Sequence, residues 1–271
     1  MENFEQEVAA GARFQFGKNW KSFLSTLTEE RIHVAGESLR SMLEAGDLRG
    51  KTFLDVGCGS GLFSLAARRM GAKVLSFDYD PDSVGCAMEL KRRYFPDDTD
   101  WTIRQGSVLD KAFLNSLGTF DVVYAWGVLH HTGQLWQATE NVTLPVNANG
   151  LLFVAIYNDM GLKSKVWRGI KRAYCSGWIG KMAVAGIFIP YCFARAVASS
   201  LKHGENLFAQ YKKRRGMSIV HDWFDWLGGY PYEVARAEEM IRFYGDRGFG
   251  VRKQILRNDS GNNEIVFQRN S

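Results

Sequence analysis

The sequence predicts an α/β fold: a doubly wound, mostly parallel seven-stranded sheet with helices on both faces and an inserted helical cap. Three features carry this expectation. Phe53-Leu54-Asp55-Val56-Gly57-Cys58-Gly59-Ser60-Gly61 reads as a buried strand that breaks into a glycine turn and then opens a helix. Short apolar strands alternate with helical stretches as far as Tyr157, the pattern of right-handed crossovers between parallel strands. The 91 residues from Asn158 to Gly248 separate the fifth strand from the sixth. A crossover needs only about a dozen to twenty or so, so the excess must form a cap.

Taken in order, Arg13-Phe14-Gln15-Phe16-Gly17-Lys18-Asn19-Trp20 is an aromatic segment whose Phe16 and Trp20, four apart, suit packing on a core. Glu29 to Ala45 carries Ile32/Ala35 and Leu39/Met42 at helical spacing. The strand Phe53–Val56 leads through the glycines to a helix from Leu62 to Met70, whose N-terminal amides would face a nucleotide-like ligand. Lys73–Phe77 is a second strand. It ends in Asp78, about twenty residues past the glycines, where a carboxylate can accept both hydroxyls of a ribose. Asp80 caps the next helix, with Pro81 at its first position. Trp101–Gln105, Val122–Ala125 and Gly150–Tyr157 are the third to fifth strands. Phe249–Leu256 and Glu264–Gln268, joined by Asn258-Asp259-Ser260-Gly261-Asn262-Asn263, form a hairpin expected to supply an antiparallel edge strand.

Composition agrees with a globular enzyme domain: 46% hydrophobic and 23% charged residues, with a modest net charge of +5. Cys58, Cys86, Cys175 and Cys192 show no metal-ligand spacing, so reduced cytosolic thiols are expected, with Cys58 a small residue in the turn. Met1 to Ala10 holds three glutamates and no apolar run, so no signal peptide is expected and the chain reads as cytoplasmic.

The arrangement Asp-x-Gly-x-Gly-x-Gly, with the acid at the strand end, differs from the Gly-x-Gly-x-x-Gly of dinucleotide sites. With Gly106-Ser107-Val108-Leu109-Asp110 and the run Phe120-Asp121-Val122-Val123-Tyr124-Ala125-Trp126-Gly127-Val128-Leu129-His130-His131-Thr132, it resembles the class I S-adenosylmethionine-dependent methyltransferases over roughly residues 50 to 157. The resemblance implies a Rossmann-like methyltransferase fold and S-adenosylmethionine as cofactor. It implies cofactor contacts from Asp55, Gly57, Gly59, Gly61, Asp78, Tyr79, Ser107, Val108 and Trp126. It also makes residues 1–48 a helical lid in which Phe16, Asn19 and Trp20 close over the cofactor. Residues 49–160 would then be the cofactor-binding core, 161–235 the cap and substrate loop, and 236–271 the closing helix and hairpin.

Between Leu162 and Gly216 twelve Lys or Arg stand against a single acid, Glu205. Val166, Trp167, Ile170, Ala173 and Tyr174 share one helical face and Lys165, Arg168, Lys171 and Arg172 the other. Met182 to Ala194 follows, thirteen uncharged residues, too few for the roughly twenty that span a bilayer. Two readings stand: a surface that meets anionic lipid or a lipid-linked acceptor, and a buried cap helix with solvated cationic neighbours. No nucleic-acid partner is expected, because no recognition module accompanies the charges.

His221-Asp222-Trp223-Phe224-Asp225-Trp226-Leu227-Gly228-Gly229-Tyr230-Pro231-Tyr232-Glu233 reads as a loop that lays His221, Asp222, Tyr230 and Glu233 over the transferred methyl, with Tyr157 and Asp159 at the end of the fifth strand as further acceptor contacts. An aromatic plug between cap and sheet is the competing reading. A hydroxyl acceptor needs its proton removed, and His131, His130 and His221 are the candidate bases, His131 first. No metal is expected, since Asp222 and Asp225 alone do not make a site. The expected activity is O-methylation of a sugar or phosphosugar of a glycan or lipid-linked precursor. A quinone-type or natural-product phenol is the alternative acceptor, and a cofactor-binding scaffold without turnover the third reading.

Overall fold

The computed structural model describes residues 2–204 and 219–271. Five strands, β1 (Thr52–Val56), β2 (Lys73–Asp78), β3 (Trp101–Gln105), β4 (Phe120–Trp126) and β5 (Val146–Tyr157), pair in parallel. With β6 (Phe249–Ile255) and β7 (Asn262–Arg269) they form one sheet in the order β3-β2-β1-β4-β5-β7-β6.

The hairpin differs from expectation in one respect. β7, antiparallel to both β5 and β6, lies inside the sheet, and β6 takes the edge. Ile265, Val266 and Phe267 are buried in succession, so β7 needs cover on both faces and both sides, whereas β6 is exposed at most positions.

Side-chain alternation along the strands fills two core layers. Phe53, Val74 and Trp101 face α3 (Glu29–Leu43), α4 (Leu62–Arg69) and α5 (Pro81–Tyr94). Leu54, Val56 and Leu152 face α6 (Lys111–Ser116), α7 (Leu135–Asn141) and α11 (Ala237–Gly245). Burying each such Leu or Phe contributes about 1.5–3 kcal/mol. The strand order reverses between β1 and β4, which opens a crevice at their carboxyl ends. Two short helices, α1 (Glu2–Ala9) and α2 (Gly17–Ser25), cross that crevice.

The cap is helical, and three sequence expectations change there. α8 (Leu162–Cys175) is rotated from the expected face: Lys171 is buried and Val166 exposed, because Lys171 points at the ring cluster of Trp226 and Tyr232. The thirteen-residue apolar run is the middle of a 26-residue helix, α9 (Trp178–His203), which ends where Gly204 turns left-handed. That helix is largely exposed, contrary to the buried-helix reading. The supposed loop after residue 220 begins as a helix, α10 (Ile219–Gly228), which packs on α8 and α9.

Candidate cofactor and acceptor site

At the carboxyl ends of β1, β2 and β4 lies a cavity of about 740 Å³, within the range of small-molecule sites. The glycine turn is its floor. Gly57 and Gly61 adopt φ of +67° and +80°. A Cβ on Gly57 would stand 2.5 Å from the Val128 side chain, and one on Gly61 2.9 Å from the Ala87 backbone in α5. Only glycine lets the turn lie this close to both neighbours.

Asp78 closes the end of β2. Its Oδ2 accepts from the Gly59 amide at 2.9 Å and its Oδ1 from the Asp80 amide at 2.9 Å. Each oxygen keeps a second lone-pair direction for a ligand hydroxyl. Burial pushes this carboxyl up to about 6. Below the turn, Asp55 accepts from the Ser64 hydroxyl at 2.5 Å; Ser64 meets the Ser76 hydroxyl at 2.7 Å, and Ser76 accepts from the Trp101 indole at 2.9 Å. Burial pushes Asp55 to about 7. Asp55 lines the cavity while bracing α4 against β2. Ser107 and Val108 form the adjoining wall, fixed by the Leu109 amide on the Ser107 hydroxyl (3.2 Å) and the Asn141 amide on the Val108 carbonyl (2.9 Å).

The N-terminal helices are fastened by contacts of Asp80 and Arg13 that the sequence does not show. Asp80 caps α5 through the Asp82 amide (2.9 Å), as expected, and with its other oxygen accepts the Gly17 amide that starts α2 (2.7 Å). Arg13 pairs with Glu7 at 2.6 Å, donates to the His131 carbonyl at 2.9 Å and covers the Tyr79 ring at 5.0 Å. Phe16, Asn19 and Trp20 therefore line the cavity, and the Trp20 indole lies 3.0 Å from the position a Cβ on Gly59 would take. Phe16 and Trp20, expected either to pack on the core or to close over a ligand, pack here as part of the cavity wall.

Beside the glycine turn, the 3-10 turn Leu129–His131 brings two histidines to the cavity. His131 Nδ1 lies 2.7 Å from the Pro231 carbonyl. A carbonyl only accepts, so Nδ1 carries the proton and Nε2 is the ring's acceptor. Burial pushes this imidazole down to about 3. His130, fully buried, lies 4.0 Å from the Tyr157 ring with the two planes tilted by 40°. Burial, with His131 and Lys171 nearby, holds it well below the usual histidine range. Trp226 stands 5.7 Å from Tyr157 and joins the wall. Arg257, Asp259, Asn262 and Glu264 supply a polar rim, and the buried Asn262 Oδ1 has no partner.

The methyltransferase-domain family matches residues 54–152. Among curated proteins, the ubiquinone biosynthesis O-methyltransferase of Methylocella silvestris is 30% identical over 157 residues, 58% of this chain and 59% of that one. The ribosomal protein L11 methyltransferase of Aliivibrio salmonicida is 51% identical over 52 residues, 19% of this chain and 18% of that one. Residues 54–152 form a methyltransferase domain. The chain spans at most about three fifths of the length of these curated relatives. In fold it is similar to the magnesium protoporphyrin IX methyltransferase of Synechocystis crystallised with bound S-adenosylhomocysteine: TM-score 0.54, 15% identity, covering 88% of this chain and 83% of that one. An O-methyltransferase family protein from Burkholderia thailandensis is similar at TM-score 0.53 and 14% identity, over 89% and 57%.

Within the methyltransferase domain and its cap, the expected residues divide. Asp55, Gly57, Gly59, Asp78, Tyr79, Ser107, Val108, Trp126, Trp20, His130, His131 and Tyr157 line one cavity. Gly61 sits behind it as the helix start. Asp159, Tyr230 and Glu233, expected on the acceptor, do not line it. Asp159 accepts the Gly161 amide at 2.9 Å ahead of α8, and Tyr230 accepts the Phe14 amide at 2.9 Å through its carbonyl. Glu233 accepts the Leu135 amide at 3.2 Å at the start of α7. The cause is α10, which uses up the presumed loop and leaves residues 230–233 to brace the histidine turn. The side chains of His221 and Asp222 lie outside the described residues. The polar rim was missed, although the turn-rich stretch before β7 marked the place. Among the described residues no group of three His, Cys, Asp or Glu is placed to hold a metal.

Proposed function

We propose that the protein is a methyltransferase that moves the methyl group of S-adenosylmethionine to a hydroxyl of a small, ring-bearing acceptor such as a phenol or hydroxyquinone. One observation carries the reading. A single cavity is lined by the glycine turn and Asp78 and by His131, its proton fixed on Nδ1, among aromatic rings.

The residues present fit the cofactor. The glycine turn leaves room where a Cβ would intrude, Asp78 offers acceptors for two ribose hydroxyls, and Ser107-Val108 forms a flat wall for a base. Bound there, the cofactor supplies an electrophilic methyl on a sulfonium. The protein's part is to align an acceptor oxygen and remove its proton. The Nε2 of His131 is the acceptor for that hydroxyl. Since His131 is held near 3, it takes the proton only as the new C–O bond makes the oxygen strongly acidic. Phe16 and Tyr157, at 5.1 and 5.6 Å from the His131 ring, give a flat acceptor a surface and exclude water.

Support for a phenolic ring comes from these aromatic walls and from the likeness to ubiquinone biosynthesis O-methyltransferases. A second reading, a sugar or phosphosugar hydroxyl, draws on the polar rim of Arg257, Asp259, Asn262 and Glu264. Incubation with methyl-labelled cofactor and matched panels of catechols, hydroxyquinones and sugars, read by mass spectrometry, separates them. Label on an aromatic oxygen is expected. Label only on sugars would reject the phenolic acceptor, and cofactor binding without turnover on any panel would favour the scaffold.

A further inference from the structure

α9 leaves more apolar surface in water than a soluble cap needs. Trp178–Lys202 is long and apolar enough to cross a membrane, yet only 6% of its most apolar stretch is buried. Ile179 and Met182, and after a gap of eight residues Pro190, Phe193, Val197 and Leu201 at three- and four-residue spacing, share the outward side, and all are exposed. Leu201 is 79% exposed, and Ile187, fourteen residues earlier, 77%. A stripe of this kind marks an interaction surface.

Charge indicates what covers it. From Leu162 to Gly204 the chain has eight Lys or Arg and no Asp or Glu. Lys163, Lys165, Arg168 and Arg172 on α8 and Lys181, Arg195 and Lys202 on α9 are exposed. An apolar stripe on a helix pair whose charges are all cationic is drawn to an anionic bilayer surface, with apolar chains for the stripe and negative headgroups for the net charge.

The packing decides orientation. α8 leads into α9 through Ser176 and Gly177, and α10, which returns to the sheet, packs on both. The middle of α9 is thus held against the folded body through Phe188 and Trp167, where a crossing helix would have its middle in hydrocarbon. A crossing helix of this length would carry its ends about 37 Å apart, on opposite faces of the membrane. The same packing links the surface to the cavity: Phe188 of α9 meets Trp167 of α8 at 5.4 Å, and Trp167 meets the cavity-lining Trp226 at 5.4 Å.

We propose that α9 lies flat on an anionic lipid bilayer, its outward stripe in the headgroup–acyl boundary and the net positive charge of α8 and α9 holding the cap at the negative surface, so that the cavity works next to the membrane. This docking stands apart from the methyl-transfer reading, and either can fail without the other.

The test is flotation of the full-length protein with vesicles of phosphatidylcholine alone or mixed with phosphatidylglycerol. Co-flotation at least about tenfold greater on the anionic vesicles is expected, falling at about 1 M salt, where screening shortens to about 3 Å. The triple variant Ile187→Glu, Phe193→Glu, Leu201→Glu should stay at the bottom while keeping its S-adenosylhomocysteine binding. In the unaltered protein, brominated lipids should quench the fluorescence of Trp178, read as the signal lost on Trp178→Tyr substitution. A protein that ignores both vesicles overturns the proposal, as does a triple variant that floats unchanged. A lipid-independent dimer with no flotation would assign the stripe to a second copy. Resistance to alkaline carbonate extraction would reject the flat orientation.

Discussion

Asp78 is a buried carboxylate held at its post by two backbone amides, and its ionisation controls what it can accept. Burial raises it to about 6, and the nearby Asp55 to about 7. A protonated carboxyl donates where the ionised one accepts. Cofactor affinity should therefore climb as pH rises from about 5 to 8, mostly through the 6–7 window. Calorimetric titration across that range checks it, and Asp78→Asn should bind weakly with the step near 6 gone. For His131, Asn in its place keeps a donor for the Pro231 carbonyl and removes the proton acceptor. kcat should fall by about 10²–10⁴-fold with cofactor affinity retained. Because the imidazole is already neutral above about 3, the pH profile of kcat/KM should show no His131 inflection near its ordinary value. An unchanged kcat in His131→Asn would remove it from the mechanism.

At the scale of elements, Asp80 joins two of them. Its carboxylate caps α5 and receives the amide that opens α2, so Asp80→Ala should lose both bonds. A destabilisation of about 1–2 kcal/mol for the cap is expected in urea denaturation, with a larger loss of cofactor affinity as the lid loosens. Elements governed by local rules were legible: the glycine turn, the Asp80 cap and the β3 strand Trp101–Gln105 stand where spacing and propensity put them. Elements governed by tertiary burial were not. Nothing local says that Met182–Ala194 continues into a 26-residue exposed helix, or that Lys171 turns inward while Val166 turns out. That the antiparallel strand of the closing hairpin lies inside the sheet and not at its edge likewise shows only in the burial of β7 on both faces.

Across the whole molecule, cap and sheet meet at one cluster: Lys171, Trp226, Tyr232, Tyr157 and the two histidines. Lys171 Nζ donates to the Trp226 carbonyl and sits 4.1 Å from that ring. Burial lowers it from its ordinary value to about 7. The unfolded chain then binds the extra proton between about 7 and 10.5, so the stability Lys171 contributes is present above that range and lost as pH falls through 7. The difference in unfolding free energy between the native protein and Lys171→Met should rise from pH 7 upward; a flat difference would mean the ammonium stays charged. The acceptor half of the cavity was less legible than the cofactor half, because the cofactor side follows one continuous motif. The acceptor side is assembled from the histidine turn, α10 and the β6–β7 loop, which only the fold brings together.

The central claim is that the glycine turn, Asp78 and the lid form one site for the methyl donor. Calorimetry of the full chain with S-adenosylhomocysteine at about pH 8, where both Asp55 and Asp78 are ionised, tests it most directly. One saturable site per chain, weakened in Asp78→Asn and retained in His131→Asn, is the expected result; no binding to the folded protein would contradict the assignment.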